Sequence, residues 1–312
     1  ISTYRKKFTL EQVPKDAHIR LVFDGVMLAC EVYLNEEKIG GHLGGFSQFF
    51  IDLTGKIEPG ENTLTVYVDS RERTDIPPYG HLVDYLTFGG IYRDVDLQIL
   101  PPVHIEDIFA KPANVLDKPE LTCDIRLNAA SKNLQIEAAL FDPDGEQIAE
   151  VSNQAKDAFS RLLFSSLPEI QLWDLDHPTL YTLQISLIDD GKVIDTQSTR
   201  IGFREAGFNA DGNFYLNGKP VKLFGLNRHQ TFPFIGAAAP ARLQRQDADI
   251  LKYQLACNIV RTSHYPQSPH FLNRCDEIGL LVFEEMTGWQ QIGDQAWQDL
   301  SLIHISEPTR PY

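Results

Sequence analysis

Three short polar clusters carry the side chains able to do chemistry in this chain. They are Asn227-Arg228-His229-Gln230, Thr262-Ser263-His264-Tyr265, and Glu284-Glu285 followed by Gly288-Trp289-Gln290. Each follows a run with strand character. If the strands are parallel neighbours, the clusters share one face at their carboxyl ends, where barrel enzymes place their sites. A lone histidine at a strand end is more often structural, but three such clusters in succession favour a site. His229 and His264 suit hydrogen bonding to sugar hydroxyls, contacts that can tighten as a ring flattens toward an oxocarbenium ion. Asn227 belongs to the same polar face. Arg261, permanently charged, reads either as orienting a carboxylate nucleophile or as half of a structural ion pair. Trp289 reads either as a stacking surface for a sugar or as a packed loop aromatic. Glu284 and Glu285 make a poor acid and nucleophile pair. Neighbours on a strand point to opposite faces, whereas a retaining pair stands about 5–5.5 Å apart across one bond. Glu285 is expected to be the one that lines the cleft.

The elements that must position these residues follow from period and punctuation. Asn258–Arg261 and Leu280–Phe283 read as buried strands, and Val221–Gly225 as the strand before them. Between the last two, Pro269 opens a helix with Phe271, Leu272, Cys275 and Ile278 on its buried stripe, and Gly279 closes it. From Ala241 a second helix is expected, with Leu243, Ile250, Leu251 and Leu255 as its apolar face. Alternating β and α with buried strands predicts a parallel sheet, hence the start of an α/β barrel over 207–300. A whole barrel takes about 250 residues, so the barrel is truncated.

The preceding residues are all β. Asn62–Asp69 sets Leu64, Val66 and Val68 on one face, and Gly and Pro pairs separate such runs, which predicts a jelly-roll β-sandwich over 1–100. Pro101-Pro102 is a stiff break. Residues 103–203 match the size of an immunoglobulin-like sandwich, about 100 residues. Asp142-Pro-Asp-Gly145 and Asn217-Gly218 read as turns. The fold class is therefore multi-domain β plus α/β.

Composition narrows the partners. The 312 residues carry a net charge of −15 with scattered Lys and Arg, which argues against nucleic acid or an anionic membrane. No apolar run nears the roughly 20 residues of a bilayer span. The four cysteines are far apart, without Cys-x-x-Cys, and suit buried thiols. Ile1 enters a strand pattern at once, so both ends look cut and location is left open, with the cytoplasm favoured over periplasm or secretion. Ser301–Arg310 matches the translation of a transposase sequencing adapter, so 301–312 are expected to lie outside the fold.

The run from Asn258 through Arg261-Thr-Ser-His264-Tyr-Pro266 to Phe283 resembles glycoside hydrolase family 2, the family of β-galactosidases and β-glucuronidases. Gly225-Leu-Asn-Arg-His229, Asp84–Val95, Trp173–Leu183 and Gly202-Phe203-Arg204 extend the likeness over 1–300. The resemblance implies a retaining exo-glycosidase acting on a β-galactoside or oligosaccharide, with β-glucuronidase or a non-catalytic carbohydrate-binding sandwich protein as alternatives. It implies that Arg261 supports the nucleophile and that Asp84 reaches the substrate from the first domain. It places both catalytic glutamates beyond Trp297, so the fragment itself should be inactive. It also implies a homo-oligomer, and Mg or Na in the whole enzyme with no cofactor in this chain. Gln230 departs from the glutamate common after this histidine.

Overall fold

The computed structural model describes residues 1–80, 83–131, 133–288 and 292–306. Two β-sandwiches precede the barrel segment. In the first, a four-stranded sheet runs in the spatial order Ser2–Leu10, Gly60–Asp69, Ala29–Leu34, Glu37–Leu43. It faces a three-stranded sheet of Phe49–Asp52, His18–Phe23 and Val95–Leu100. Alternation drives this pairing. Val66 and Val68 turn inward against Phe23, Val32 and Leu53, while Tyr67 between them faces out.

The second sandwich pairs Ile105–Ala113, Glu120–Leu127 and Phe159–Phe164 with Gln147–Gln154, Gln135–Phe141, Tyr181–Asp189 and Lys192–Ile201. Its core holds Ile125, Ile136, Leu183, Ile185 and Phe203. At the Asp142 turn, Gly145 takes a positive φ and the Asp142 carboxylate accepts from the Asp144 and Glu146 amides. At the second turn, Asn217 and Gly218 both adopt positive φ, as a tight hairpin requires.

Three parallel strands follow, Gly225–Asn227, Ile259–Arg261 and Leu281–Phe283, paired in that order. Helix α1 (Ala241–Asp249) and helix α2 (Pro269–Ile278) cover their outer face over a core of Ala248, Val260, Phe271 and Cys275. Pro269 opens α2, and Gly279 caps it in the left-handed conformation. All four cysteines are buried and reduced.

Three expectations are corrected. The first barrel strand is Gly225–Asn227, not Val221–Gly225. The amide of Phe224 and the carbonyl of Lys222 are satisfied by the Asn258 side chain instead of a strand ladder. In the first barrel helix, Leu251 faces inward as expected, but Leu255 is exposed and Leu243 half-buried, and Gln244 and Ala248 are buried beside Leu251. One π-helical turn, Ile250–Gln254, continues the helix, and Gln244 is drawn in by a hydrogen bond to Arg228. Finally, Ser301 does not leave the fold. Helix α3 spans Gln295–Ser306, started by the Asp294 carboxylate on the Trp297 amide, and the Ser301 hydroxyl bonds the Thr287 carbonyl. Residues 307–312 lie outside the described residues.

Trp173 joins the second sandwich to the barrel segment. It is fully buried with Leu216 and Leu281, its Nε1 donates to the Asp276 carbonyl at 2.7 Å, and the Arg204 guanidinium sits 4.6 Å from its ring. Trp173→Ala should cost about 3–5 kcal/mol. Thermal unfolding would show it, and a variant that melts like the parent would mean the two units do not depend on this contact.

Candidate active site

In-register pairing brings the strand ends together. Asn227, Arg261 and Phe283 stand side by side across the sheet, so the residues after them emerge on one face. Asn227 is exposed there. The next residue points the other way. Arg228 is buried beneath the site, donating to Asp247, Gln244 and Gln267, with its guanidinium 4.0 Å from the Phe271 ring centre. Burial lowers its pKa and Asp247 opposes that shift, so this arginine is a structural member.

His229 and His264 converge. Their ring centres lie 5.6 Å apart, edge to face. His229 Nδ1 is 3.4 Å from the Tyr265 hydroxyl. Burial lowers the His229 pKa, the His264 ring adds to that, and Asp84 and Glu285 partly oppose it. Asp84 is exposed, on the first sandwich, and acts on His229 through its charge.

Glu285 joins the second and third strand ends. One carboxylate oxygen accepts from Arg261 Nε, the other lies 2.9 Å from His264 Nδ1, and its amide donates to Thr262 Oγ1. The Arg261 Nη2 contact to the same imidazole nitrogen is longer, 3.5 Å. The carboxylate therefore wins, and Nδ1 carries the proton that it donates. Contact between His264 and a substrate would then run through Nε2. Glu285 is 18% exposed at its side chain and Arg261 44%. With both oxygens engaged, Glu285 orients Arg261 and His264.

Glu284 faces elsewhere. Its Oε1 accepts from the Gln267 amide at 2.9 Å, and burial pushes its pKa up to about 7. The two glutamates serve different neighbours. Trp289 lies outside the described residues.

Several site neighbours carry no role in the sequence reading. Tyr85, next to Asp84, packs its ring 5.4 Å from His229, 5.8 Å from His264 and 5.4 Å from Tyr265. Phe46 stacks on Tyr265 at 4.3 Å and 8°. The only signal for Tyr85 was adjacency to Asp84, and Phe46 had none in the sequence. Among the described residues no group of three or more His, Cys, Asp or Glu is arranged to hold a metal ion. No described helix is long and apolar enough to cross a membrane.

Comparison with known families matches residues 2–79 to the glycosyl hydrolase 2 galactose-binding domain-like model. Residues 103–204 match glycosyl hydrolases family 2, and 209–306 match its TIM barrel domain. The chain is 44% identical to a β-galactosidase of Thermoanaerobacter pseudethanolicus, over 98% of its own length and 42% of that protein. It is 42% identical to one from Thermoanaerobacterium thermosulfurigenes, over 98% of itself and 44% of the relative. A solved β-glucuronidase from Bacteroides uniformis superposes with a TM-score of 0.88 at 27% identity, covering 99% of this chain and 40% of that one. The chain thus spans about two fifths of the length of the curated relatives it matches.

Because Glu284 holds its proton to higher pH when folded, its stabilising contribution is complete below the ordinary carboxylate range and lost as pH rises through about 7. Glu284→Gln should flatten the fall in stability between about pH 5 and pH 8, an effect on the order of 1–3 kcal/mol. Parallel melting curves for variant and parent across that range would contradict the burial argument.

Proposed function

The chain belongs to glycosyl hydrolase family 2, and from that premise we propose that its parent protein is a retaining exo-glycosidase cleaving terminal β-D-galactosides. The observation that carries this reading is the convergence of His229 and His264 at parallel strand ends, with Arg261 and Glu285 holding the second imidazole. Two oriented imidazoles beside an exposed asparagine and an exposed aspartate suit the hydroxyls of a neutral sugar ring. Bond cleavage needs one carboxylic acid to protonate the leaving oxygen and one carboxylate to attack the anomeric carbon. Both are expected further along the barrel than Trp297. These residues supply the pocket wall: His229 and His264 contact hydroxyls, and Arg261 faces the position of the nucleophile.

β-Glucuronidase is the second reading, supported by the fold likeness to the Bacteroides uniformis enzyme. A glucuronide brings a carboxylate that calls for a cation. Among the described residues at the site, Arg261 is already paired with Glu285, and Arg228 with Asp247 beneath it. The identity to two β-galactosidases, 44% and 42%, favours the neutral galactoside over it.

The 312-residue chain alone should release no nitrophenol from a β-galactoside. Joined in frame to the rest of a family 2 barrel, it should do so with retention and prefer the galactoside to the glucuronide. In that enzyme, His264→Ala should lower kcat by about 10²-fold, the scale of losing one transition-state donor, and change KM less. A rise in KM with kcat intact would make His264 a ground-state binder, and turnover by the bare chain would overturn the assignment of roles.

A further inference from the structure

Arg93 lies in the first sandwich, yet its guanidinium reaches both histidine loops of the barrel. Nη1 donates to the carbonyls of Phe46 (3.0 Å) and Asp24 (3.3 Å) on its own domain. Nη2 donates to the Pro266 carbonyl (2.7 Å) and to Gln230 Oε1 (3.4 Å). Gln230 follows His229, and Pro266 lies two residues after His264. The same Gln230 oxygen accepts from the Ser268 amide, and the Gln230 amide donates to the Tyr265 hydroxyl. One planar fork therefore ties the first domain to the 228–230 turn and to the 263–268 loop together. Phe46, whose carbonyl it holds, stacks on Tyr265 between them.

All four acceptors are neutral oxygens. A residue kept only for its charge would sit against a carboxylate and could be a lysine. A fork spread over four acceptors on two domains cannot, because an ammonium is one compact donor point without that planar geometry. We propose that Arg93 is a positioning residue for the reaction, setting His229 and His264 relative to each other from the first domain. This rests on reading that pair as the sugar contacts. Displacing a catalytic contact by about 1 Å can cost on the order of 10²-fold in rate, so such a strut matters even without touching substrate.

The test reads the imidazoles of the 312-residue chain by NMR with labelled histidine, the His229 line being assigned from His229→Gln. Partial burial, and then the His264 ring, hold the His229 pKa below the ordinary histidine value, with Asp84 and Glu285 opposing. Arg93→Met and Arg93→Lys should both move its midpoint up toward the ordinary value as the two loops loosen. The lysine keeps the charge, so a shift there cannot come from charge loss. His42, buried in the first domain and titrating at about 4, reports that this domain is still folded; if Arg93→Met loses that signature, the lysine variant decides. Asp94→Ala removes another contact of the same interface, the one to His270, and should leave His229 in place. The proposal falls if His229 is unmoved in the folded lysine variant, or if Asp94→Ala moves it equally. No turnover is needed for this readout. Failure of the glycosidase reading would appear separately, as no nitrophenol release by the completed enzyme with Arg93 intact.

Discussion

The Glu285 carboxylate, shared between Arg261 and His264, is the constraint on which the site depends. Parallel strands in register deliver Arg261 and the loop before His264 to the end of one strand, and Glu285 to the end of the next. Unpaired, a guanidinium beside an imidazole would repel any second positive charge on that ring and leave its tautomer undetermined. The carboxylate settles both matters. It balances Arg261 through a charge-assisted bond and commits His264 Nδ1 to donation. Partial burial makes the arrangement stronger than an exposed ion pair would be.

A second layer of charge lies under this one and does different work. Arg228 is buried among Asp247, Gln244, Gln267 and the Phe271 ring. It pins α1 and the 263–268 loop to the first barrel strand. A charge so enclosed is tolerated because nearly every donor has an acceptor. Its demands reach back into α1, where Gln244 occupies an inward position that an apolar pattern would have given to Leu243.

The site is not a property of the barrel segment alone. Tyr85 and Phe46 from the first sandwich pack against its histidines and Tyr265, and Trp297 of α3 donates to the Tyr79 carbonyl. Trp173 of the second sandwich seats against α2 through its bond to the Asp276 carbonyl. Large aromatic surfaces with one polar handle suit such joints, because burial supplies the stabilisation and the hydrogen bond fixes the orientation.

What the sequence determined by itself was local. Proline at the start and glycine at the end bounded α2, and Asn217-Gly218 set a hairpin, because caps and turns depend on the φ of a few adjacent residues. Alternation marked both sandwiches, and the three polar clusters marked the strand ends. That Glu284 and Glu285 would not act as a pair was also expected from the alternation of neighbouring residues in an extended chain. Tertiary structure decided which partner each side chain found. It gave Glu285, not Glu284, to Arg261 and His264. It put Arg228 in the interior and left Arg261 partly exposed at the strand end, though the two types are identical. It moved the first barrel strand to Gly225–Asn227 by letting the Asn258 side chain satisfy the backbone before it. It continued α1 into a π turn, and it brought Tyr85, Phe46 and Arg93 to the two histidine-bearing loops from more than 130 residues away. Hydrophobic period says which face of an element is buried, but not against what. That choice depends on contacts between distant segments, which no local pattern records.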